Sequence, residues 1–385
     1  MSLNLQGTEK AFESDFKKLP KIDVFLVSKF HNNFPFLGIS KSTLELTEVF
    51  ENLNLTVCLI TESEYFHVVE VKRNLILVGI PRSPKLFKAM WSLKLPHPIA
   101  AWIVNVLEYV KISGIVVVPI VGLQSVLCKH LSPSIVKRII TLHTPYSKAT
   151  VMQSLFHKIQ KDSLAHGDFI VANSRTTFEK FELSSFSNVG VIPHFVARNL
   201  ISRNSSKFEN ERPSFIWIGS LNYRKGVDRL IKLILLNRGR NPLEVVWTST
   251  RFSFIYEYCL QGLSRLGFVR LHTRLSEDEL VSLVGNASGL ISTSRFESFG
   301  MTIVEAGLQG KGLVALSAPG VTETLPNKEA GARFYSKLTE LNSFLVTSSE
   351  SELVKMGKDS QIYCEANYGL EEISGKWKKL FLTLN

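Results

Sequence analysis

The chain has 385 residues, of which 45% are apolar, and a formal net charge of +11. This length is too great for one ordinary core and predicts two domains. The composition argues against a disulfide framework or a cysteine zinc site, because the four cysteines lie far apart and form no Cys-x-x-Cys pair: Cys58, Cys128, Cys259 and Cys364. Met1 to Phe16 is mixed polar and acidic, unlike a secretory signal, so we expect a cytoplasmic protein.

Short apolar runs alternate with amphipathic stretches in the first half of the chain, which predicts parallel strands joined by crossover helices. The predicted strands are Ile22–Val27, Leu55–Ile60, Ile115–Pro119, Arg138–Leu142, Phe169–Ala172 and Val189–Ile192. The predicted helices are Ser40–Asn52, Pro98–Val110, Ser147–Ala165 and Arg175–Glu182. The most hydrophobic window, Ile99–Leu123, contains Glu108 and Lys111, so we interpret it as a buried helix and strand instead of a membrane span.

Residues 71–107 form a basic aromatic stretch that contains no acidic residue. A helix here would place apolar side chains on one broad face and lysines beside or opposite it, namely Leu86, Phe87, Met90, Trp91 and Leu93 against Lys85, Lys88 and Lys94. This pattern is typical of a helix that lies on an anionic membrane. A helix that buries its aromatic residues in the domain core has the same pattern, and the sequence leaves both interpretations open.

The polar segment Ala197–Pro213 has the composition of a linker and separates the first alternation of strands and helices from a second. The strands predicted after it are Ser214–Ile218, Leu243–Trp247, Phe268–Leu271, Gly289–Ile291 and Leu313–Leu316. Ser276 and Glu279 have the spacing of a capping box, which predicts a helix that ends near Gly285. The sequence therefore predicts two doubly wound α/β units.

Glu297 and Glu305 stand eight positions apart across a predicted loop-to-helix junction. That spacing is slightly more than two helical turns, so the second carboxylate returns toward the face of the first. Gly300 permits a close approach to the backbone, and the free N–H groups of the helix start favour an anion such as a diphosphate. Two carboxylates beside a phosphate cradle suit a sugar nucleotide, whereas the alternative is a pair of solvated glutamates at an ordinary helix start.

The segment Ser292–Leu316 resembles the second domain of the retaining GT4 glycosyltransferases, which carries a Glu-x7-Glu motif followed by a glycine and an apolar strand. Phe215–Asp228 is similar to the strand, Gly-Arg-Leu loop and Lys-Gly helix start of that family. The resemblance implies an α/β protein with the GT-B fold, in which two Rossmann-like doubly wound domains face each other across a cleft. Its expected parts are an acceptor-side domain at 1–200, a donor domain at 201–369 and a helix at 370–385 that packs back on the first domain.

The resemblance also implies roles for individual residues. Lys225 is expected on the donor diphosphate, Glu305 on the donor ribose and Glu297 on the donor sugar. Ser220 stands where the family has an arginine, so Arg224 either replaces that arginine or faces solvent. The expected catalytic residues are Glu297, Lys225 and His143, and the expected donor-binding residues are Glu305, Arg224, Ser220, Gly219, Phe299, Gly300, Met301, Thr302 and Gly38.

His143 is expected in this set because Ile139–His143 matches a family strand whose final histidine contacts the donor sugar; a purely structural histidine is the alternative. Gly38 stands where relatives have a loop with paired glycines, although a lone loop glycine is usually only a turn. His194 and Phe195 replace the family's Asn-Gly, and no site role is expected for them.

The implied activity is transfer of a hexose from a nucleotide-diphosphate sugar to an acceptor hydroxyl, with no metal and no cofactor beyond the donor itself. The expected partners are the nucleotide sugar, a glycan or lipid-linked acceptor and an anionic membrane surface at residues 71–107, so the protein would be cytoplasmic or peripheral at the inner face of a membrane. A sugar-nucleotide epimerase or hydrolase, and an inactive sugar-nucleotide-binding scaffold, are the alternatives on the same fold. Nucleic-acid binding explains the charge but not the motifs, and is not expected.

Overall fold

A computed structural model of the chain describes residues 21–27, 38–63, 67–72, 74–81, 114–120, 136–143, 164–196, 212–248 and 253–384. The predicted helix of the basic aromatic stretch, the predicted helix Pro98–Val110 and nearly all of Ser147–Ala165 lie outside these ranges. The chain forms two compact units. The first contains Met1–Asn173, Thr177–Phe195 and Ile373–Asn385, and the second contains Ser174–Thr176 and Val196–Glu372.

The first unit is built on an eight-stranded sheet in the order β3-β4-β2-β1-β5-β6-β7-β8. Its strands are β1 Val24–Val27, β2 Val57–Ser63, β3 His67–Lys72, β4 Leu75–Pro81, β5 Gly114–Ile120, β6 Val136–Leu142, β7 Phe169–Ala172 and β8 Val189–Val191. Neighbouring strands are parallel except β3 and β4. Its first two described helices are α1 Gly38–Asn52 and α2 Arg175–Lys180.

Strands β3 and β4 were not predicted from the sequence. They form an antiparallel hairpin at one edge of the sheet, where β3 pairs only with β4 among the described strands. The sequence His67–Lys72 includes Glu70 and Lys72 and so lacks the continuous apolar run of a buried parallel strand. An edge strand tolerates such residues because only one side of its backbone is paired.

The second unit contains a six-stranded parallel sheet in the order β11-β10-β9-β12-β13-β14. Its strands are β9 Phe215–Ser220, β10 Leu243–Thr248, β11 Arg270–Thr273, β12 Gly289–Ser292, β13 Gly312–Leu316 and β14 Ala332–Tyr335. Its helices are α3 Val227–Asn237, α4 Phe254–Arg265, α5 Glu277–Asn286, α6 Met301–Leu308, α7 Val321–Thr324, α8 Leu338–Thr347 and α9 Glu350–Tyr368. The predicted capping box of α5 is confirmed: the Ser276 side chain accepts from the Glu279 N–H, and the Glu279 side chain accepts from the Ser276 N–H.

Alternate residues of these strands enter two different apolar clusters. Phe215 and Trp217 of β9 pack with α3, α4 and α8, whereas Ile216 packs with α5, α6 and the end of α9. Because successive strand side chains point to opposite faces, each cluster lies on one face of the sheet. The second unit is therefore a three-layer helix–sheet–helix structure.

The strand predicted at Phe268–Leu271 begins two residues later, at Arg270. Gly267 adopts a left-handed conformation with φ 75°, and the Phe268 N–H donates to the Leu263 carbonyl at 3.1 Å. This turn ends α4. Because the backbone of Phe268 is part of the turn, pairing with β10 begins only at Arg270.

The last helix, α10 Leu370–Leu384, packs in the first unit. The rings of Trp377 and Phe381 lie 5.1 and 5.5 Å from the ring of Phe50 in α1. Asn52 donates to the Ser374 hydroxyl at 3.1 Å. The described helices include none that is long and apolar enough to cross a membrane.

Candidate functional site

The loops that follow β9 and β12 lie next to each other in the second unit. The two strands are parallel neighbours, with Phe215 paired to Gly289 and Ile216 to Leu290. Their carboxyl ends therefore meet at one edge of the sheet, which is where ligands bind in open α/β sheets. The first loop carries Arg224 and Lys225, and the second carries Glu297.

Glu297 is the centre of a buried charged cluster. Its Oε1 lies 2.6 Å from Lys225 Nζ and accepts from the Ser294 hydroxyl at 2.7 Å, and its Oε2 lies 3.1 Å from an Arg224 guanidinium nitrogen. The side chains of Glu297 and Lys225 are only 7% and 13% exposed, whereas that of Arg224 is 40% exposed. Arg224 therefore faces this carboxylate, and both cations of the loop point to one spot.

The electrostatics of the cluster keep Glu297 ionised. Burial alone raises the pKa of Glu297, but the charges of Lys225 and Arg224 and the hydrogen bonds from Lys225 and Ser294 outweigh burial, so its pKa lies below the ordinary value. An ionised carboxylate between two cations holds their side chains in place at the end of the sheet.

The Lys225–Gly226 turn is held against the end of β12. Gly226 has φ 68°, and a Cβ at this position would lie 2.0 Å from the Thr293 carbonyl oxygen, so only glycine fits. The Thr293 hydroxyl donates to the carbonyls of Lys225 and Gly226 at 3.1 and 3.0 Å, and it accepts from the Trp217 indole at 3.1 Å. These contacts fix the start of α3 and therefore the position of Lys225.

The remainder of the β9 loop is organised by Asn222. Its Oδ1 accepts from the Lys225 N–H at 2.9 Å, and its Nδ2 donates to the Ser220 hydroxyl at 2.7 Å. Ser220 thus supports the loop through Asn222. Gly219 is half-buried at the end of β9, where an added Cβ would lie 3.1 Å from the Trp217 ring and 3.4 Å from the Lys225 side chain.

Gly300 begins α6 in a left-handed conformation, with φ 79° and ψ 50°, and no side chain caps this helix start. The first N–H groups of a helix have no partner within the helix, so the amides at Met301 and Thr302 are suited to an anion. Glu305 lies one turn further along α6 and is half-buried. The Phe299 side chain instead belongs to the core, with its ring 5.2 Å from the Tyr368 ring.

The turn at Pro319 and Gly320 supports the Glu297 backbone from behind. Glu297 N–H donates to the Pro319 carbonyl at 3.0 Å, and a Cβ on Gly320 would lie 1.9 Å from the Glu297 carbonyl oxygen. The Thr324 hydroxyl donates to the carbonyls of Phe299 and Gly320. The loop that carries Glu297 is therefore fixed on both sides.

Sequence reasoning missed the residues that organise this site. Ser294 and Asn222 were not predicted, although each lies three positions from the charged residue that it contacts. Arg295 was also missed: its guanidinium binds both Asp228 oxygens, at 2.6 and 2.8 Å, and lies 3.7 Å from the centre of the Tyr223 ring. Ion pairs and short polar spacings in loops are common, so the sequence offers no distinctive pattern for these residues.

In the first unit, His143 lies at the end of β6 and stacks on His194, with ring centroids 4.8 Å apart. Its Nε2 is 3.0 Å from the Thr141 hydroxyl and its Nδ1 is 3.1 Å from His194 Nε2. Asn173 Nδ2 donates to the His143 carbonyl at 3.0 Å and lies 3.1 Å from the same His194 nitrogen. His194, for which no site role was expected, is therefore the direct partner of His143.

Both imidazoles are held neutral. Burial lowers the pKa of His143 to about 4. Burial, together with repulsion between the two rings when both are protonated, lowers the pKa of His194 well below its ordinary value. The pair lines a cavity of about 20 Å³, which has room for about one water molecule. Gly38 is the first residue of α1, and the loop before it lies outside the described residues.

A family model and a curated relative match part of the chain. Residues 199–342 match the family model described as "Glycosyl transferases group 1". An uncharacterized glycosyltransferase from Methanocaldococcus jannaschii is 26% identical over 142 residues, and the match covers 35% of this chain and 35% of that relative. The chain therefore matches about a third of the length of this curated relative.

Solved structures are similar over nearly the whole chain. Sucrose-phosphate synthase from Thermosynechococcus elongatus has a TM-score of 0.74 and 14% identity, covering 94% of this chain and 99% of that one. HepE from Anabaena, in complex with UDP and glucose, has a TM-score of 0.72 and 16% identity, and the match covers 94% of this chain and 100% of that one. Trehalose 6-phosphate synthase from Burkholderia multivorans has a TM-score of 0.72 and 10% identity, and the match covers 95% of this chain and 99% of that one.

The fold is therefore the GT-B fold, with two Rossmann-like α/β domains built on mainly parallel sheets. The match to the glycosyl transferases group 1 model lies within the second unit, and the charged cluster around Glu297 lies within the matched residues.

Proposed function

We propose that this protein is a retaining glycosyltransferase of the GT4 type, which transfers a sugar from a nucleotide-diphosphate sugar to an acceptor hydroxyl. The observation that carries the proposal is the meeting of Lys225 and Arg224 at the buried Glu297 carboxylate, on the loop that leads into the uncapped start of α6. Two cations and free helix amides are what a diphosphate requires, and a carboxylate among them is what sugar hydroxyls require.

The cluster is suited to a reaction in which negative charge grows on a leaving group. As the anomeric bond breaks, the diphosphate gains charge, so Lys225, Arg224 and the amides of Met301 and Thr302 would stabilise the transition state more than the bound donor. In this proposal Lys225 exchanges part of its contact with Glu297 for the diphosphate. Glu297 holds the donor sugar, and Glu305 holds the ribose hydroxyls.

The donor class, the acceptor and the route of transfer are also proposals. HepE from Anabaena was solved with UDP and glucose bound, which supports a nucleotide sugar as the donor class here. The neutral His143 would contribute a donor-side contact from the first unit. The acceptor would be a hydroxyl of a glycan or a lipid-linked sugar, and the leaving diphosphate would assist the incoming hydroxyl on the same face of the sugar, without a metal or cofactor.

The direct test is ligand binding followed by turnover. We expect UDP, GDP, ADP or dTDP, and the matching sugar nucleotides, to raise the melting temperature, because a ligand present at about 100 times its Kd stabilises the folded state by about 2.7 kcal/mol. Lys225→Ala should abolish that shift and lower turnover about 10²-fold, the usual scale for losing one electrostatic donor. Lys358→Ala, an exposed lysine on α9, is the matched control and should behave as wild type.

Two outcomes would contradict the proposal. If no nucleotide or sugar nucleotide raises the melting temperature, the proposed nucleotide-sugar site is contradicted. Formation of an epimer or of free sugar at full rate without acceptor would replace transfer by epimerisation or hydrolysis on the same fold.

A further inference from the structure

The helices on one face of the second unit carry most of the large apolar side chains that are exposed among the described residues. Of the twelve large apolar side chains that are exposed among the described residues, seven lie on α3, α4 and α8 or at the end of α4. We call these seven the outer helical face: Leu235, Leu236, Phe254, Ile255, Tyr258, Leu266 and Val346. A concentration of this kind marks an interaction surface, whereas single exposed apolar residues are ordinary.

The three helices form one continuous layer. Residues of α3, α4 and α8 bury their inner sides in the same apolar cluster, including Leu233, Leu260 and Leu345. Helix α3 packs against both α4 and α8. The exposed side chains therefore belong to one surface of one unit and point away from the sheet.

Helix α4 contributes most of this surface. Ile255, Cys259, Gly262 and Leu266 are all exposed and recur at intervals of four, three and four residues, so they form one stripe along the helix. Phe254 and Tyr258 lie beside this stripe. Tyr258 is 78% exposed, Phe254 68%, Leu266 66% and Ile255 60%. A helix whose core side is already buried by Leu260 and Leu263 thus carries a second apolar side toward solvent.

The charges on this face are mainly positive. Exposed cations stand among the apolar residues, namely Lys232, Arg238, Arg240 and Arg265. Glu340 of α8 is an exposed acid there. The other acids are engaged: Asp228 binds Arg295, and Glu257 accepts a hydrogen bond from Ser253.

We propose that the outer helical face docks the second unit on an anionic lipid surface. Apolar and aromatic side chains between exposed lysine and arginine residues are the composition of a helix that lies in a membrane interface. A second copy of this chain is a poorer occupant, because a two-fold contact between identical faces brings the same cations toward one another. The proposal uses none of the residues of the basic aromatic stretch at 71–107 and does not depend on glycosyl transfer.

The test is cosedimentation with vesicles of phosphatidylcholine alone and of phosphatidylcholine mixed with phosphatidylglycerol, without any nucleotide sugar. We expect the wild type to bind the mixed vesicles at low salt and to be released by high salt. Ile255→Ser with Tyr258→Ser should lower binding about tenfold or more, since both lose apolar burial. Lys232→Glu with Arg265→Glu should also lower it about tenfold or more, since each cation contributes about fivefold.

The matched control is Ile362→Ser with Leu382→Ser, which removes two side chains of similar exposure, 59% and 69%, from other helices. This variant should bind as the wild type does. Melting temperatures of all variants should stay close to wild type, because every changed side chain is exposed. Three results would overturn the proposal. The first is a wild type that fails to bind mixed vesicles, and the second is a pair of substitutions in the outer helical face that leaves binding unchanged. The third is a control variant that loses as much vesicle binding as those pairs do. Dimerisation that the same substitutions abolish, without vesicle binding, would assign the face to a second copy.

Discussion

Replacing Glu297 by glutamine tests the charged cluster most directly. The substitution keeps the size of the side chain and one oxygen acceptor for Lys225 and Ser294, but it removes the charge between two cations. Breaking a buried ion pair costs about 3–5 kcal/mol of folding stability. Arg224 is 40% exposed, so solvent weakens its share, and the retained acceptor offsets part of the loss. We therefore expect the second unit to lose about 2 to 3 kcal/mol at pH 7.

The pH dependence of this loss follows from the depressed pKa of Glu297. A carboxyl whose pKa is lower in the folded state stabilises the protein above its unfolded pKa, near 4.5, and this contribution disappears as the pH falls through the lower folded value. The difference between wild type and Glu297→Gln should therefore be constant from about pH 5 to 8 and shrink below about pH 4.5. Hydrogen exchange at the β9 and β12 amides measures the stability of this unit separately.

The same variant has a functional consequence that separates stability from chemistry. Without the carboxylate, Lys225 and Arg224 remain available to phosphate, so affinity for a free nucleoside diphosphate should stay at or above that of wild type while turnover falls. An equal free energy of unfolding for wild type and Glu297→Gln at pH 7 would show that the charged cluster does not stabilise the second unit. A stability difference that widens as the pH falls from about 7 toward about 4.5 would show that the pKa of this carboxyl is raised on folding and that the cluster does not hold it ionised.

Two further predictions concern the other carboxylate and the histidine pair. Glu305→Gln should weaken binding of free nucleoside diphosphate and of the full donor alike, measured by calorimetry, because the ribose is common to both; a loss confined to the sugar donor would contradict the ribose assignment. The free energy of unfolding of the first unit should fall as the pH decreases from about 6.5 toward about 4, because two neutral buried rings take up protons only on unfolding. His143→Gln with His194→Asn should make this fall smaller. Urea unfolding at several pH values measures it, and the same fall in the variant and the wild type would refute the prediction.

Most of the architecture was predictable because the central parallel strands are buried on both faces. Such strands appear as continuous apolar runs, and those at β6, β7, β12 and β13 were predicted within two residues of their observed limits. The prediction failed at the edges. Strand β14 was missed because Arg333 and Tyr335 are only half-buried there and the run is short.

The candidate site was predictable as a set of residues but not as an arrangement. The motif resemblance selected Lys225, Glu297 and His143, and assigned the first two to different parts of a donor. Their contact at 2.6 Å depends on the pairing of β9 with β12, which alternation of strands and helices does not specify. His194 was set aside because it departs from the family pattern, yet it meets His143 because β6, β7 and β8 are neighbours.

The return of α10 to the first unit affects the order in which the two units can complete their folding during synthesis. Asn52 and its partner Ser374 are 322 residues apart, and Phe50 packs on Trp377. During synthesis the side of α1 that packs on α10 through Phe50 is therefore uncovered until α10 has left the ribosome. The second unit lies between these segments in the sequence and has its own core, so it can fold first. Domains usually fold in the order of synthesis, whereas here the second unit can complete its core before the first unit does.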